Sequence, residues 1–273
     1  GRKWVRITED DVLNVKWFGA IGNGVADDYY AIQRAIDYTI YEDTTIKKVF
    51  IPSGNYLVSR TIHMGYGSAY SSVSLVGDGT PTFRGEQQYN GATITVNFSN
   101  APALNIQGAR NSTVDNITFI GLNEITGYLT DTSASNLSNW IYSGLDTIGD
   151  NRYTPYAAIT VDAYAGGAPS PAYPNVLFPS YTGISTQYSK LSSSQVKIRN
   201  VHIYKFTAGI VIKPNADNNG DFVQIEKAII ERVAYGISIG NSQARNTRIS
   251  DSYIDAHTCI TNSKHGAQIG RIS

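Results

Sequence analysis

The chain has 273 residues, of which 41% are hydrophobic and 16% charged, and its 22 basic and 22 acidic residues give a formal net charge of zero. This apolar fraction argues against disorder, which needs few hydrophobic residues and a high net charge. Zero net charge argues against nucleic-acid binding through a broad basic surface, and no apolar run reaches the roughly 18 residues of a membrane span. The single cysteine excludes an internal disulfide framework.

The first predicted element is an amphipathic helix near the N-terminus. Five residues share one face at helical spacing: Ile32, Ala35, Ile36, Thr39 and Ile40. Asp27 or Asp28 precedes this segment and is expected to cap the helix by accepting hydrogen bonds from its first backbone amides. No other stretch has a comparable helical pattern.

After the helix, the chain consists of short runs rich in β-branched or aromatic residues, separated by turn residues. The predicted strands are Lys48–Ile51, Tyr56–Val58, Val73–Val76, Thr93–Val96 and Leu104–Ile106. Runs of this length, bounded by turn signals, favour an all-β architecture.

The C-terminal third repeats itself. Val196–Ile212 aligns with Val223–Ile239 at an offset of 27 residues. A third copy starts at Thr247 with an offset of 24, and its second strand aligns after a one-residue deletion. Thr113–Phe119 is an earlier copy. A period in the twenties, with at least two short strands and no helix per unit, predicts a parallel β-helix whose stacked coils share one core.

A long insertion, about residues 124–194, separates the earlier coils from the later ones. It holds eight of the 19 tyrosines and five of the nine prolines, and within it only Ala157–Ala163 has the pattern of a strand. Tyr153 and Tyr156 are candidates for a glycan-binding groove. The alternative, which we favour, is that these rings pack the insertion onto the solenoid and a neighbouring subunit.

Residues 15–59 resemble the N-terminal signature of the pectate-lyase-like superfamily. The resemblance is carried by the glycine-rich segment Val15–Asp28, the helix Ala31–Ile36 and the strand pair Lys48–Val58. It implies an all-β, right-handed, single-stranded parallel β-helix whose open end is capped by the α-helix. On this basis residues 1–14 end a preceding linker or domain, residues 15–273 form the β-helix, and we expect further coils after Ser273.

Three later segments are similar to bacteriophage tail-spike and tail-fibre proteins of this superfamily: Arg152–Val161, Asn218–Phe222 and Tyr235–Asn241. The similarity implies a homotrimer in the virion tail that binds bacterial surface polysaccharide during host attachment and contacts other tail proteins through its N-terminal side. Whether it also depolymerises the glycan stays open. The alternatives are a secreted bacterial polysaccharide lyase or glycoside hydrolase, and a virion adhesin without catalysis, because one fold carries many activities.

One column of the repeat offers acid and base groups. Glycoside cleavage generally uses two carboxylates, and equivalent positions on stacked coils lie about 4.8 Å apart. Glu231 and Asp255 occupy equivalent positions, so together with His257 they are the predicted catalytic residues. Tyr204 and Arg232 are predicted to bind substrate. The alternative is an exposed polar ladder paired with neighbouring basic side chains.

A second column places Arg199 and Glu226 beside Lys197 and Arg248. Charge pairing between coils is the favoured interpretation of this column. Recognition of an acidic sugar by its basic residues is the functional alternative.

A weak metal candidate lies in the acidic turn at residues 217–221. Asp217, Asn219 and Asp221 carry oxygen atoms at alternate positions, as calcium loops do, but Gly220 falls at position four and the closing glutamate is missing. We therefore favour a turn between coils and expect no metal or cofactor.

Overall fold

The computed structural model describes residues 11–64, 72–79, 91–99, 101–106, 108–122, 156–161, 193–212, 221–239, 246–262 and 269–272. Within these ranges one α-helix, one short 3-10 helix and a series of short strands are present, and neighbouring strands pair in parallel. The predicted all-β parallel β-helix is thereby confirmed. No helix in the described part of the chain is long and apolar enough to cross a membrane.

The strands form three faces. Face 1 contains β1 (Val12–Asn14), β3 (Lys48–Ile51), β6 (Ser74–Gly77), β9 (Thr113–Asp115), β12 (Lys197–Arg199), β15 (Gln224–Glu226), β17 (Thr247–Ser250) and β19 (Ile269–Ile272). Face 2 contains β2 (Asn23–Asp27), β4 (Gly54–Val58), β7 (Ala92–Val96), β10 (Ile117–Ile120) and β13 (His202–Tyr204). Face 3 contains β5 (Ile62–Met64), β8 (Leu104–Ile106), β11 (Ala157–Val161) and β14 (Ala208–Ile212). The long strands β16 (Ile229–Ile239) and β18 (Tyr253–Asn262) continue from face 2 into face 3.

The strand register agrees with the sequence repeat. Ile198 of β12 is the register partner of Ile225 of β15, which reproduces the offset of 27 residues. Glu231 pairs with Asp255 at the offset of 24, and the register then shifts at Arg232, where the third copy lacks one residue. The deletion inferred from the sequence is therefore a local bulge at the corner between faces 2 and 3.

Each face contributes a column of buried side chains to one core. On face 1 the column is Leu13, Val49, Leu75, Val114, Ile198, Ile225 and Ile249. On face 2 it includes Tyr56, Ile94, Phe119, Ile203 and Ile230. On face 3 it includes Ile62, Leu104, Ile159, Ile210 and Ile237. Burying each large side chain stabilises the fold by about 1.5–3 kcal/mol, so most of the driving force comes from these columns.

The corner between faces 1 and 2 turns through one residue in the left-handed region. Its occupants Asn116, Asn200, Lys227 and Asp251 have φ between 48° and 57°. Asn and Asp tolerate this conformation better than most residues. In each of these coils a single residue joins face 1 to face 2. The length of this corner is therefore the same from coil to coil.

Helix α1 (Tyr29–Tyr41) covers the first coil and completes the edge of face 3. The side-chain amide of Gln33 donates to the carbonyl oxygen of His63 at 3.0 Å and accepts from the His63 backbone amide at 2.8 Å. Gln33 is fully buried and also donates to Asp37 at 2.9 Å. One side chain thus replaces the strand that would otherwise pair with β5.

The approach to the helix differs from the expected cap. Asp28 stands at the N-cap position but makes no capping hydrogen bond, because its carboxylate accepts from the amides of Ile21 at 2.6 Å and Gly22 at 2.9 Å. Asp27 instead accepts from the Tyr29 amide at 3.1 Å. The two carboxylates therefore have different roles. Asp28 binds the backbone of the glycine-rich segment, and Asp27 accepts a hydrogen bond from the first turn of the helix.

Two predicted boundaries can be compared with the described residues. Strand β1 pairs with β3, so residues 12–14 belong to the solenoid rather than to a preceding segment. Within the insertion, the predicted strand is present as β11. Most of the remaining insertion lies outside the described residues.

We predict that Gln33→Leu lowers the free energy of unfolding by about 2 kcal/mol or more, because the two His63 backbone groups lose their buried partner. Urea unfolding followed by circular dichroism measures the loss. Arg34→Leu, an exposed position on the same helix, is the control and should change stability by less than about 0.5 kcal/mol. Equal losses in both variants would contradict the role assigned to Gln33.

A second prediction concerns pH, because burial lowers the pKa of His63 to about 3. In the unfolded chain this imidazole binds a proton below about pH 6.5, whereas in the folded chain it stays neutral down to about pH 3. The unfolded state therefore binds more protons in this window, and stability should fall as the pH decreases from 6.5, by at most about 1.4 kcal/mol per pH unit from this residue.

The measurement is urea unfolding at several pH values between 5 and 7. His63→Gln should reduce the pH dependence of stability in this window, whatever its absolute stability. His202→Gln serves as the control for removal of a histidine elsewhere. A slope unchanged by His63→Gln would show that His63 titrates normally in the folded chain.

Candidate functional site

The predicted catalytic column lies on face 2. Tyr204 of β13, Glu231 of β16 and Asp255 of β18 are direct register partners. Strand alternation puts Ile203, which is fully buried, in the core and places Tyr204 on the opposite side. The structure therefore brings Glu231 and Asp255 together on neighbouring strands, about 4.8 Å apart along the solenoid.

Glu231 has a hydrogen-bonded partner that sequence analysis did not assign to the site. Nε2 of His202 lies 3.0 Å from Oε2 of Glu231, and the two side chains are 10% and 14% exposed. His202 is the register partner of Ile229 rather than of Glu231, so the contact is diagonal between coils. Reading the repeat column by column could not reveal it, although a search of diagonal neighbours would have done so.

Tyr204 lies beside two cationic side chains and the ring of His202. Cζ of Arg232 lies 5.3 Å and Nζ of Lys205 lies 5.4 Å from the centre of its ring, and the imidazole of His202 lies at 6.3 Å. Lys205 and Arg232 both have positive φ, at 62° and 50°, at the corner between faces 2 and 3. The contact with Tyr204 places Arg232, predicted to bind substrate, beside the tyrosine of the column, and Arg232 directly follows Glu231 in the chain.

The cluster combines groups in unlike environments. Glu231 is largely covered and hydrogen-bonded to His202, whereas Asp255 is exposed. The backbones of the two residues lie one strand spacing apart, about 4.8 Å, so their carboxyl groups can approach the separation of about 5 Å found in retaining glycosidases. The arrangement can supply a largely covered carboxyl group held beside His202, a second carboxylate open to solvent, and a cation beside the Tyr204 ring.

The other predicted site residues fall in different places. His257 lies in β18, but its side chain lies outside the described part of the structure, as do Tyr153, Asp217 and Asn219. Asp221 is in a turn. Within the described residues, no group of three or more His, Cys, Asp or Glu side chains is arranged to hold a metal ion.

Tyr156 belongs to the core, which corrects its assignment to substrate binding. It is 1% exposed, and its ring lies 5.1 Å from that of Phe206. Its hydroxyl oxygen accepts from the Leu122 amide at 2.6 Å, and burial raises the pKa of this phenol to about 12. The packing interpretation therefore holds for this tyrosine.

The second predicted column, on face 1, contains a charge pair between coils. Nη2 of Arg199 lies 2.6 Å from Oδ2 of Asp115, and the Asn200 side chain donates to Oδ1 of the same carboxylate at 2.8 Å. The predicted pairing is confirmed, with Asp115 on the preceding coil as the partner of Arg199.

Comparison with known proteins supports the fold and the superfamily. Residues 12–120 match the family model described as rhamnogalacturonase A/epimerase, pectate lyase-like. The predicted resemblance to the pectate-lyase-like superfamily is thereby confirmed. A segment of 77 residues, 27% of this chain, is 44% identical to mannuronan C5-epimerase AlgE1 of Azotobacter vinelandii and spans 5% of that protein's length.

Two solved structures share the fold over most of the chain. A glycosyl hydrolase homologue from Parabacteroides merdae is 15% identical, with a TM-score of 0.56 over 93% of this chain and 92% of that one. A hyperthermoactive exopolygalacturonase from Thermotoga maritima is 13% identical, with a TM-score of 0.50 over 94% of this chain and 63% of that one. At these identities the similarity concerns the fold.

We predict that His202 and Glu231 are energetically coupled. A double-mutant cycle with His202→Phe and Glu231→Gln should give a coupling of about 1 kcal/mol, because each single change leaves a largely buried polar partner unpaired. The measurement is urea unfolding of the four proteins. A parallel cycle pairing His202→Phe with Asp255→Asn is the control and should give a coupling close to zero. Equal coupling in the two cycles would contradict a specific bond.

Proposed function

We propose that this chain is part of a homotrimeric bacteriophage tail spike that binds a bacterial surface polysaccharide and cleaves it on face 2. The observation that carries the proposal is the clustering of Tyr204, Glu231, Asp255, His202 and Arg232. The similarity of three sequence segments to tail-spike proteins supports a place in the virion tail. There the protein would act at the outer surface of the host cell.

A polysaccharide suits this surface for geometric and chemical reasons. The outward side chains of face 2 repeat along the stacked coils, so a polymer lying along the solenoid meets equivalent positions one after another. Hydroxyl, carboxylate and cationic groups there can bind sugar hydroxyls directly. Two of the similar proteins are, by name, an exopolygalacturonase and a mannuronan epimerase, and polysaccharides are the substrates that these names indicate.

The two carboxyl groups lie in different environments, and we use this difference to assign one as the proton donor and the other as the nucleophile. We assign Glu231, the largely covered carboxyl group beside His202, the proton that passes to the glycosidic oxygen as the bond to the anomeric carbon breaks. Asp255, the exposed carboxylate, is assigned the attack on that carbon, and water then releases the sugar from Asp255 while Glu231 takes up the water proton. Arg232 and Tyr204 are assigned to substrate binding beside them.

The proposal is tested on purified capsules and O-antigen lipopolysaccharides, with polygalacturonate and alginate as defined acidic polymers. Glu231→Gln and Asp255→Asn should each lower cleavage at least about 100-fold, because each removes one of the two carboxyl groups assigned to the reaction. Glu42→Gln and Asp251→Asn make the same chemical changes at exposed positions away from the cluster, and they should keep full activity. Glycan binding by titration calorimetry separates loss of binding from loss of chemistry.

The products decide between the alternatives. New reducing ends without an unsaturated sugar support hydrolysis, whereas an unsaturated-sugar absorbance would replace it with elimination. Binding without either product would leave a virion adhesin and overturn the assigned chemistry. A monomer by light scattering would count against the tail spike and favour a secreted bacterial enzyme.

A further inference from the structure

The outward side of face 2 continues beyond the carboxylate cluster toward the N-terminal end of the solenoid. Strands β4, β7 and β10 pair in that order, and β10 then pairs with β13 of the cluster. Phe119 of β10 is fully buried, so Thr118 and Ile120 on either side of it face outward. The same alternation in the three strands gives a continuous outward row, which we call the neutral row: Asn55, Leu57, Thr93, Thr95, Thr118 and Ile120.

The six side chains of the neutral row are all uncharged. The polar members are one amide and three hydroxyl groups, and Leu57 and Ile120 add aliphatic surface. Thr93 is buried, whereas the other five are half-buried and each presents part of its side chain to solvent. Ile120 is the register partner of Tyr204, so the row leads directly to the cluster, and Leu57 and Tyr204 lie about 14 Å apart along the solenoid.

A hydrogen bond within the neutral row holds two of its polar groups. The hydroxyl of Thr95 donates to Oδ1 of Asn55 at 2.7 Å, which joins the side chains of β7 and β4. Side chains that are already held in place lose less conformational freedom when a ligand binds. This part of the row is therefore organised before a ligand arrives.

Carboxylates lie near the N-terminal end of the neutral row. Asp27 of β2 is the register partner of Leu57, and its carboxylate accepts from the Ser59 hydroxyl. Asp78 is exposed at the corner between faces 1 and 2 and accepts from the Ser53 hydroxyl at 3.0 Å. Both carboxylates would repel an anionic ligand in the row.

The cations at the neighbouring corner, between faces 2 and 3, lie beside tyrosine rings rather than in the row. Cζ of Arg60 is 5.8 Å from the centre of the Tyr30 ring on α1. Lys205 and Arg232 lie beside Tyr204, past the C-terminal end of the row. The outward positions of β4, β7 and β10 therefore supply no cation that could pair with a carboxylate of a bound sugar.

This distribution of groups favours uncharged sugars. A carboxylate placed in the neutral row would lose hydration without gaining an oppositely charged partner. A sugar hydroxyl instead exchanges hydrogen bonds with water for hydrogen bonds with the hydroxyl and amide groups of the row. The C–H groups of the same sugar ring can pack on Leu57 and Ile120. The penalty on binding therefore falls on anionic sugars and not on uncharged ones.

We propose that the neutral row binds consecutive uncharged sugars of the polysaccharide, next to the bond that Glu231 and Asp255 cleave. The inference rests on the proposed function, because the same glycan chain must reach the carboxylate cluster. It deepens that function by naming the substrate class. The substrate is a glycan with a stretch of uncharged sugars beside the cleaved bond, rather than a polymer in which every unit is acidic.

The experiment measures binding of polysaccharides to the whole chain by titration calorimetry, in the Glu231→Gln variant so that a bound glycan is not cleaved. The probes are O-antigen polysaccharides with uncharged repeating units, and polygalacturonate and alginate, in which every unit carries a carboxylate. At least one uncharged polysaccharide should bind about tenfold or more tighter than both acidic polymers. Equal or tighter binding of either acidic polymer would overturn the preference for uncharged sugars.

A pair of matched variants tests whether the neutral row is the binding surface. Thr118→Val removes one hydroxyl at similar volume and should lower the affinity for the uncharged polysaccharide about three- to tenfold, as expected for one hydrogen bond. Thr113→Val makes the same change at a half-buried outward position of β9, on face 1 of the same coil. It should bind like the parent protein, and equal losses in the two variants would contradict a site on face 2.

A second pair of variants tests the role of charge. Thr95→Lys places a cation in the row, so it should weaken binding of the uncharged polysaccharide and strengthen binding of polygalacturonate several-fold. Ser250→Lys adds the same charge at a half-buried outward position of β17 on face 1 and should change neither affinity. Equal strengthening in both variants would show that only net charge matters and would overturn the row.

The outcomes also separate this inference from the proposed function. Cleavage of a polysaccharide together with tightest binding of acidic polymers would overturn the inference and leave the function in place. Binding of an uncharged polysaccharide that Thr118→Val weakens, without cleavage in the parent protein, would support the row and overturn the assigned chemistry. Failure of every polysaccharide to bind would overturn both.

Discussion

The pairing of each coil with the next is the constraint on which this molecule depends. Parallel strands satisfy their backbone hydrogen bonds only with the coils on either side, and a slip of one residue would exchange core and surface along a whole strand. The inward columns fix the register, because positions such as Ile198, Ile225 and Ile249 must stack on one another. Coil length can change only at corners, and the bulge at Arg232 is one such place.

A solenoid has an open end where strands lack a partner, and this chain closes its first coil with side chains as well as with a helix. Gln33 satisfies both backbone groups of His63, and Asp28 holds the amides of Ile21 and Gly22. The Gln33 contacts are buried and the Asp28 contacts are partly buried, so losing one partner would leave the other without a hydrogen bond. The neutral state of His63 belongs to the same closed environment, because burial disfavours the charged imidazole.

Features that recur from coil to coil could be predicted from the sequence. Contacts between particular side chains that do not recur could not. Aligning the similar segments predicts the strand register and the one-residue deletion, because equivalent residues stack on one another. The same alignment predicts that Glu231 and Asp255 are neighbours. The bond between His202 and Glu231 joins diagonal neighbours on two coils, so it depends on side-chain geometry that an alignment of equivalent residues does not contain. The burial of Tyr156 depends on Phe206, which is 50 residues away in the chain and adjacent only after folding.

The division between core and surface also explains how one scaffold can carry two different surfaces. The buried columns leave alternate positions free, and each face can change these without disturbing the stack. On face 2 they hold carboxylates with a partly covered histidine, an arrangement suited to chemistry. On face 1 they hold exposed cations, where a charge pair such as Arg199 with Asp115 contributes little to stability.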